Sequence, residues 1–132
     1  MERPVTDHWI VNPPELGEAV GFAHAVVAAA GRTVWLGGQI GSGETVVEQF
    51  DAAATNLLAA LSAAGGQPDH LVSLVVYTTA VDEYRASTRQ LGEVWRRHFG
   101  KRYPAMALVG VQALFDPDAR VELMGTAVIP DA

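Results

Sequence analysis

Two positions in the last third of the chain bear most on the chemistry it could do, one as a reactive group and one as an apolar wall. Glu122 sits inside an apolar run, Ala119 to Val128, whose composition reads as a β-strand. A carboxylate in mid-strand of an apolar sheet is costly unless it is paired, hydrogen-bonded or protonated. Such a group suits proton transfer to or from a bound water or substrate. The plainer reading is a surface glutamate beside Arg120, forming a weak cross-face pair. The residues alone leave both readings standing. Met106 lies in Tyr103-Pro104-Ala105-Met106-Ala107-Leu108-Val109, a segment that opens a strand. Methionine is a flexible apolar filler.

Other reactive residue types resolve to blander roles. His24, within a strand, has the chemistry of a proton shuttle, but a hydrogen-bonded interface histidine is the preferred reading. His8, His70 and His98 are scattered without ligand spacing, so no metal is expected. Ser42 in Gly41-Ser42-Gly43 lacks the Gly-x-Ser-x-Gly frame of a nucleophile elbow. Gly38, Gly41 and Gly43 match neither the dinucleotide fingerprint nor the phosphate loop, whose lysine is missing. They read as backbone turns at a strand end, where exposed N–H groups can meet a ligand oxygen.

The elements that must position these residues follow from period and punctuation. Gly21 to Ala28 and Thr33 to Ile40 are extended apolar runs parted by Ala30-Gly31-Arg32, which predicts a hairpin. Thr45-x-x-Glu48 is a capping box, followed by apolar residues at helical spacing through Leu61 and a stop at Gly65-Gly66. Leu71 to Thr79 predicts a buried strand. Asp82 is expected to cap a second helix whose apolar face is Tyr84, Leu91, Val94, Trp95 and His98, closed by Gly100. Strands over Ala105 to Leu114 and Ala119 to Val128 flank an Asp116-Pro117-Asp118 turn. The order ββαβαββ predicts an α+β fold, one mixed sheet with two helices on one face, because strand-helix-strand crossovers are right-handed. Residues on both sides of the last strand are apolar, so the helix-free face would be left exposed. Self-association in a closed ring is the economical solution.

Length and composition set the outer bounds. The 132 residues suit one domain, 1–132, with its core at about 21–128 and residues 1–20 as an N-terminal extension. Hydrophobic residues reach 49% and charged ones 18%, a composition that buries well. No apolar run reaches the roughly 18 residues of a membrane span. Met1 to Asp7 precedes no hydrophobic segment, so no signal peptide is expected. The absence of cysteine removes disulfides, thiolate metal sites and a cysteine nucleophile, and suits a cytoplasmic protein. A net charge of -6 weighs against a nucleic-acid partner. The basic cluster Arg96, Arg97, Lys101 and Arg102 reads as the solvated C-terminal end of a helix.

These anchors together resemble the reactive intermediate deaminase (Rid, or YjgF) family. Gly21-Phe22-Ala23-His24-Ala25-Val26 is similar to the family's opening Gly-Pro-Tyr-Ser-x-Ala-Val strand. Val34-Trp35-Leu36-Gly37-Gly38-Gln39-Ile40-Gly41 resembles its Ser-Gly-Gln-Ile-Gly signature. Asn56-Leu57, the junction Val76-Tyr77-Thr78-Thr79 with Asp82-x-Tyr84, and Val121-Glu122-Leu123 resemble further family elements in the same order. The resemblance implies a chorismate-mutase-like fold assembled as a homotrimeric barrel, with small-molecule pockets between subunits. It implies cofactor-free hydrolysis of reactive imines or enamines, such as 2-aminoacrylate, to a keto acid and ammonia. Glu122 matches the family's water-positioning glutamate, and Phe22 its usual tyrosine. Thr88 falls near a frequent asparagine, while Gly38, Ala107 and Leu108 complete the implied substrate-binding set. Met106 stands where the family has the arginine that grips the substrate carboxylate, which marks a divergent subgroup with an atypical substrate. The pocket so implied, with Met106, Leu108 and Phe22 and with Trp35 as a further candidate, favours an apolar or aromatic ligand without a carboxylate. The alternatives are a non-catalytic trimer that binds a small molecule or regulates a partner and, less favoured by the acidic balance, an endoribonuclease.

Overall fold

The computed structural model describes residues 7–132; the reading of the first residues as free of a signal peptide bears on 1–6, which lie outside them. The main sheet contains β3 (Gly31–Gln39), β4 (Leu71–Thr78), β5 (Ala105–Gly110) and β6 (Val121–Pro130), in the order β3-β6-β4-β5. β6 runs antiparallel to both of its neighbours, and β4 pairs with β5 in parallel, so the sheet is mixed. Two crossovers build it. β3 reaches β4 through α1 (Val46–Ala63), and β4 reaches β5 through α2 (Val81–Ala86) and α3 (Thr88–Phe99). Right-handed crossovers from parallel strands put the helices on one face. α1 accordingly packs on β3 and β6 and against α3.

α1 forms where the sequence predicts it. Thr45 Oγ1 accepts from the Glu48 amide while the Glu48 carboxylate accepts from the Thr45 amide. Val46, Phe50, Ala53, Ala54, Leu57 and Leu61 form one buried stripe. The helix stops in a Schellman turn, with the Gly65 and Gly66 amides on the Ser62 and Leu61 carbonyls and Gly65 at φ 92°. Opposite the stripe, Leu74, Val76, Val121 and Leu123 are fully buried. Burying each such side chain contributes about 1.5–3 kcal/mol.

Three expectations change. The predicted hairpin between the first two apolar runs does not form. Only Ala25–Val27 of the first run is a strand, β2, and it pairs with β1 (Trp9–Val11) in a separate two-stranded sheet. Thus residues 1–20 contribute β1, and β3 takes β6 as its partner instead. Second, the expected second helix is two helices. Ser87, at φ -112° and ψ 16°, interrupts it between Ala86 and Thr88, where Ser87 and Thr88 are both weak helix formers. Third, Ala80 rather than Asp82 is the N-cap, and Asp82 lies in the first turn, where a carboxylate favours the helix dipole.

Polar clamps hold the loops. The buried Gln49 donates to the Gly43 and Asp118 carbonyls and accepts from the Arg120 amide. Arg120 reaches Glu83 at 2.5 Å and the Glu44 carbonyl, and Glu83 also accepts from the Val46 amide. His8 is buried with its Nδ1 accepting from the Ala29 amide and its Nε2 2.9 Å from the Val128 carbonyl, which fastens the N-terminal sheet to β6. Between α1 and α3, the His98 ring bonds the Asp51 carboxylate at 2.5 Å, with Arg97 beside it at 3.4 Å.

Two of these groups make stability depend on pH. The His98 hydrogen bond, aided by Arg97 and opposed by burial, holds the Asp51 carboxyl below its ordinary value. Burial, with repulsion from His8, pushes His70 below its ordinary 6.5. Both groups bind protons more readily unfolded, so acid destabilises the fold. Thermal melts across about pH 3–8 should show full stability above roughly pH 6.5 and a first decline below it from His70. A second decline should follow below the usual carboxylate pKa of 3.8, and Asp51→Asn should remove that step alone.

Candidate functional site

The sheet's two-residue period sorts the candidate residues onto two faces. On β5, Met106 pairs with Leu74 and Leu108 with Val76, both on the helix side. On β6, Glu122 pairs with Tyr77 and Met124 with Val75, on the side without helices. Met106 and Glu122 of one chain are therefore on opposite faces of the sheet.

A cleft of about 570 Å³ opens between the edge strand β5 and the α2–α3 pair. Of the residues singled out from sequence, Phe22, Thr88, Met106, Ala107 and Leu108 line it. Phe22 arrives from the segment before β2, which is tied down by the Ala23 amide on the Pro104 carbonyl at 2.9 Å and by a bridge from Ala23 to Ala105. Val76, Leu91 and the aromatic side chains Tyr84, Trp95 and Tyr103 complete the wall. Trp95 stacks on Tyr103 at 5.1 Å between centroids and on Phe99 at 4.1 Å. Its indole N–H is spent on the Arg102 carbonyl at 3.0 Å. Among the described residues, no lysine, arginine, histidine, aspartate or glutamate lines the cleft. Arg102 turns its guanidinium to the His8 carbonyl, away from Met106's cleft.

Gly38 and Glu122 do not line this cleft; they meet each other on the other face. A Cβ on Gly38 would collide with the Glu122 carboxylate, so the missing side chain is what lets that carboxylate lie along β3. The surface reading of Glu122 required a pair with Arg120, but Arg120 is engaged by Glu83 and the Glu44 carbonyl. Around Glu122 the helix-free face is apolar and uncovered: Trp35 is 81% exposed, Met124 49% and Val109 40%. Trp35, considered for the pocket, belongs to this face. His24 bonds the Gly17 carbonyl at 3.3 Å and accompanies Phe22 edge-to-face, a structural role near the cleft mouth.

Tyr84, Trp95 and Tyr103 were not among the sequence candidates for ligand contact. Tyr84, Leu91 and Trp95 recur at helical spacing, a stripe the sequence assigns to the core, and Leu91 and Trp95 are buried there. Only the gap between α3 and β5 makes it a wall.

Among the described residues there is no cluster of three or more histidines and carboxylates able to hold a metal, and no helix long and apolar enough to cross a membrane.

The family model for endoribonuclease L-PSP matches residues 14–129. The chain belongs to this family, the Rid/YjgF family. Its fold is similar to that of the Rid-family protein YyfB of Yersinia pestis, with a TM-score of 0.81 and 27% identity over 92% of this chain and 98% of that one. It is also similar to Rv2704, a YjgF-family member from Mycobacterium tuberculosis, with 31% identity, a TM-score of 0.65 and coverage of 93% and 100%. RidA from an Antarctic Psychrobacter gives 29% identity and a TM-score of 0.65 over 85% and 92% of the two chains. A search of the curated proteins finds no match.

The two glycines near the site make opposite predictions. Gly38→Ala meets only the movable end of Glu122, so its stability should change by no more than about 0.5 kcal/mol while the Glu122 carboxyl resonance shifts in carbon NMR. Gly41→Ala meets the backbone of Ala52 and Ala53 and should lower the melting temperature by several degrees.

Proposed function

We propose that the chain assembles as a homotrimer and hydrolyses a reactive imine or enamine, using no cofactor, at clefts completed by neighbouring subunits. The observation that carries this reading is the division of the site. The ligand-sized cleft lies on the helix side of edge strand β5, and Glu122 lies unpaired with Arg120 on an uncovered apolar face. Packing that face against a second copy removes exposed Trp35 and Met124 from water and is the way one protomer's carboxylate can approach its partner's cleft. Water then attacks the imine carbon. The new C–O bond forms as Glu122 takes a proton, the nitrogen is protonated, the C–N bond breaks, and ammonia leaves a carbonyl product.

The lining of the cleft supports an atypical substrate. With Met106 where the family's arginine would stand, nothing in the cleft balances a carboxylate, and an unpaired charge is costly to desolvate. The same lack of cations weighs against phosphate and so against an RNA substrate. A cytoplasmic setting without membrane or nucleic-acid partners accompanies this reading.

Light scattering on the wild type should give three times the chain mass, and Met124→Glu should give monomers. Imines generated in situ by an amino-acid oxidase, and a carboxylate-free imine, distinguish the activities. Wild type should accelerate hydrolysis of the carboxylate-free imine, and Glu122→Gln should reduce that rate about 100-fold or more. Met106→Arg should improve kcat/KM for 2-imino acids by at least about tenfold. Silence from all three proteins would instead favour the non-catalytic binding trimer.

A further inference from the structure

The cleft's few polar groups are unequal. Trp95 has its N–H committed to the Arg102 carbonyl, and Tyr103 lays its ring on Trp95. Thr88 is exposed on the first turn of α3. The hydroxyls of Tyr103 and Thr88 also lack an acceptor among the described residues, and Tyr84 differs from them in its burial and its packing on Phe50. It projects from α2 with its ring edge-to-face on Phe50, 6.3 Å between centroids, and it lines the cleft beside Met106 and Leu108. Burial alone pushes its phenol up to about 12, so the hydroxyl keeps its proton at any physiological pH. No described residue accepts a hydrogen bond from that hydroxyl. A half-buried phenol in an apolar wall, its hydroxyl accessible from the cleft and its donor unspent, is a place where a ligand acceptor gains more than it would in solvent.

We propose that Tyr84 is the recognition residue of this cleft and that its ligand is a neutral, ring-bearing small molecule carrying one hydrogen-bond acceptor. The proposal rests on reading the cleft as the ligand site, but not on any turnover there. The aromatic stack of Trp95 and Tyr103 supplies a flat apolar surface for the ring. Met106 and Leu108 supply adaptable apolar contact, and the Tyr84 hydroxyl donates to the acceptor, a carbonyl oxygen or an imine nitrogen. A site built to satisfy a polar group discriminates against analogues that lack it, because its own donor is then left unpaired. Absent any lining cation, it also rejects a carboxylate.

Three probes of similar shape separate these terms: acetophenone has the acceptor, ethylbenzene lacks it, and benzoate replaces it with a charge. Dissociation constants are measured by calorimetry and ligand-observed NMR for wild type and Tyr84→Phe, which keeps the ring that packs on Phe50. Acetophenone should bind the wild type more tightly than either analogue, and Tyr84→Phe should weaken it about three- to tenfold while leaving ethylbenzene unchanged. Equal losses for both neutral probes, no loss for acetophenone, benzoate binding as tight as acetophenone, or no acetophenone binding to the wild type would each overturn the proposal. Imine hydrolysis assayed on the same two proteins keeps the readings apart. An inert wild type that still discriminates the probes sinks the deaminase reading alone, whereas an active one that does not discriminate sinks this proposal alone.

Discussion

The placement of β6 between β3 and β4 is the constraint on which the molecule depends. Because β6 runs antiparallel to both, β3 and β4 are parallel to each other, and the chain must cross over β6 to connect them. That crossover is α1, and the next, from β4 to parallel β5, is α2 and α3. Both crossovers take the favoured hand, so the helices share one face and the other stays bare. The single core follows, with the α1 stripe of Phe50, Leu57 and Leu61 against Leu74, Val121 and Leu123. So does the exposure of Trp35 and Met124, which a monomer has no means to cover.

The same arrangement splits the chemistry. Strand β5 is the edge of the sheet, so the helix-side residues Met106 and Leu108 meet the α2–α3 pair along an incompletely filled seam, and that seam is the cleft. Glu122, one strand inward from β4 and of the opposite parity, cannot reach the seam in its own chain. Sheet alternation thus separates a ligand-shaped cavity from the carboxylate best suited to act on its contents. Assembly through the bare face would address both problems at once, which is why oligomer and activity belong to one proposal.

The loop clamps show how the remaining polar residues are occupied. Gln49, Arg120 and Glu83 join the start of α1, the start of α2 and the entrance to β6 through reciprocal hydrogen bonds. Arg120 is thereby withdrawn from Glu122, which leaves the carboxylate without the partner that would make it an ordinary surface group. His8 performs the corresponding task at the opposite end, holding the β1–β2 sheet against Val128. The cleft has no equivalent clamp, and Tyr84 retains its donor there.

Local signals in the sequence determined a good deal by themselves. The capping box at Thr45, the glycine pair after α1, the apolar stripes and the ordered anchors from Gly21 to Val128 specified α1, the strands of the main sheet and the Rid/YjgF family, because each acts within a few residues of itself. Alternation along β6 was legible for the same reason. Pairing was not. The hairpin around Gly31 failed because β2 found β1 and β3 found β6, across nearly the length of the chain, and no local pattern encodes that choice. The division of Met106 from Glu122 and the use of the Tyr84–Trp95 stripe as cleft wall as well as core depended on register and on how closely α3 approaches β5. Those are decided by the packing of distant elements, so only the tertiary structure shows them.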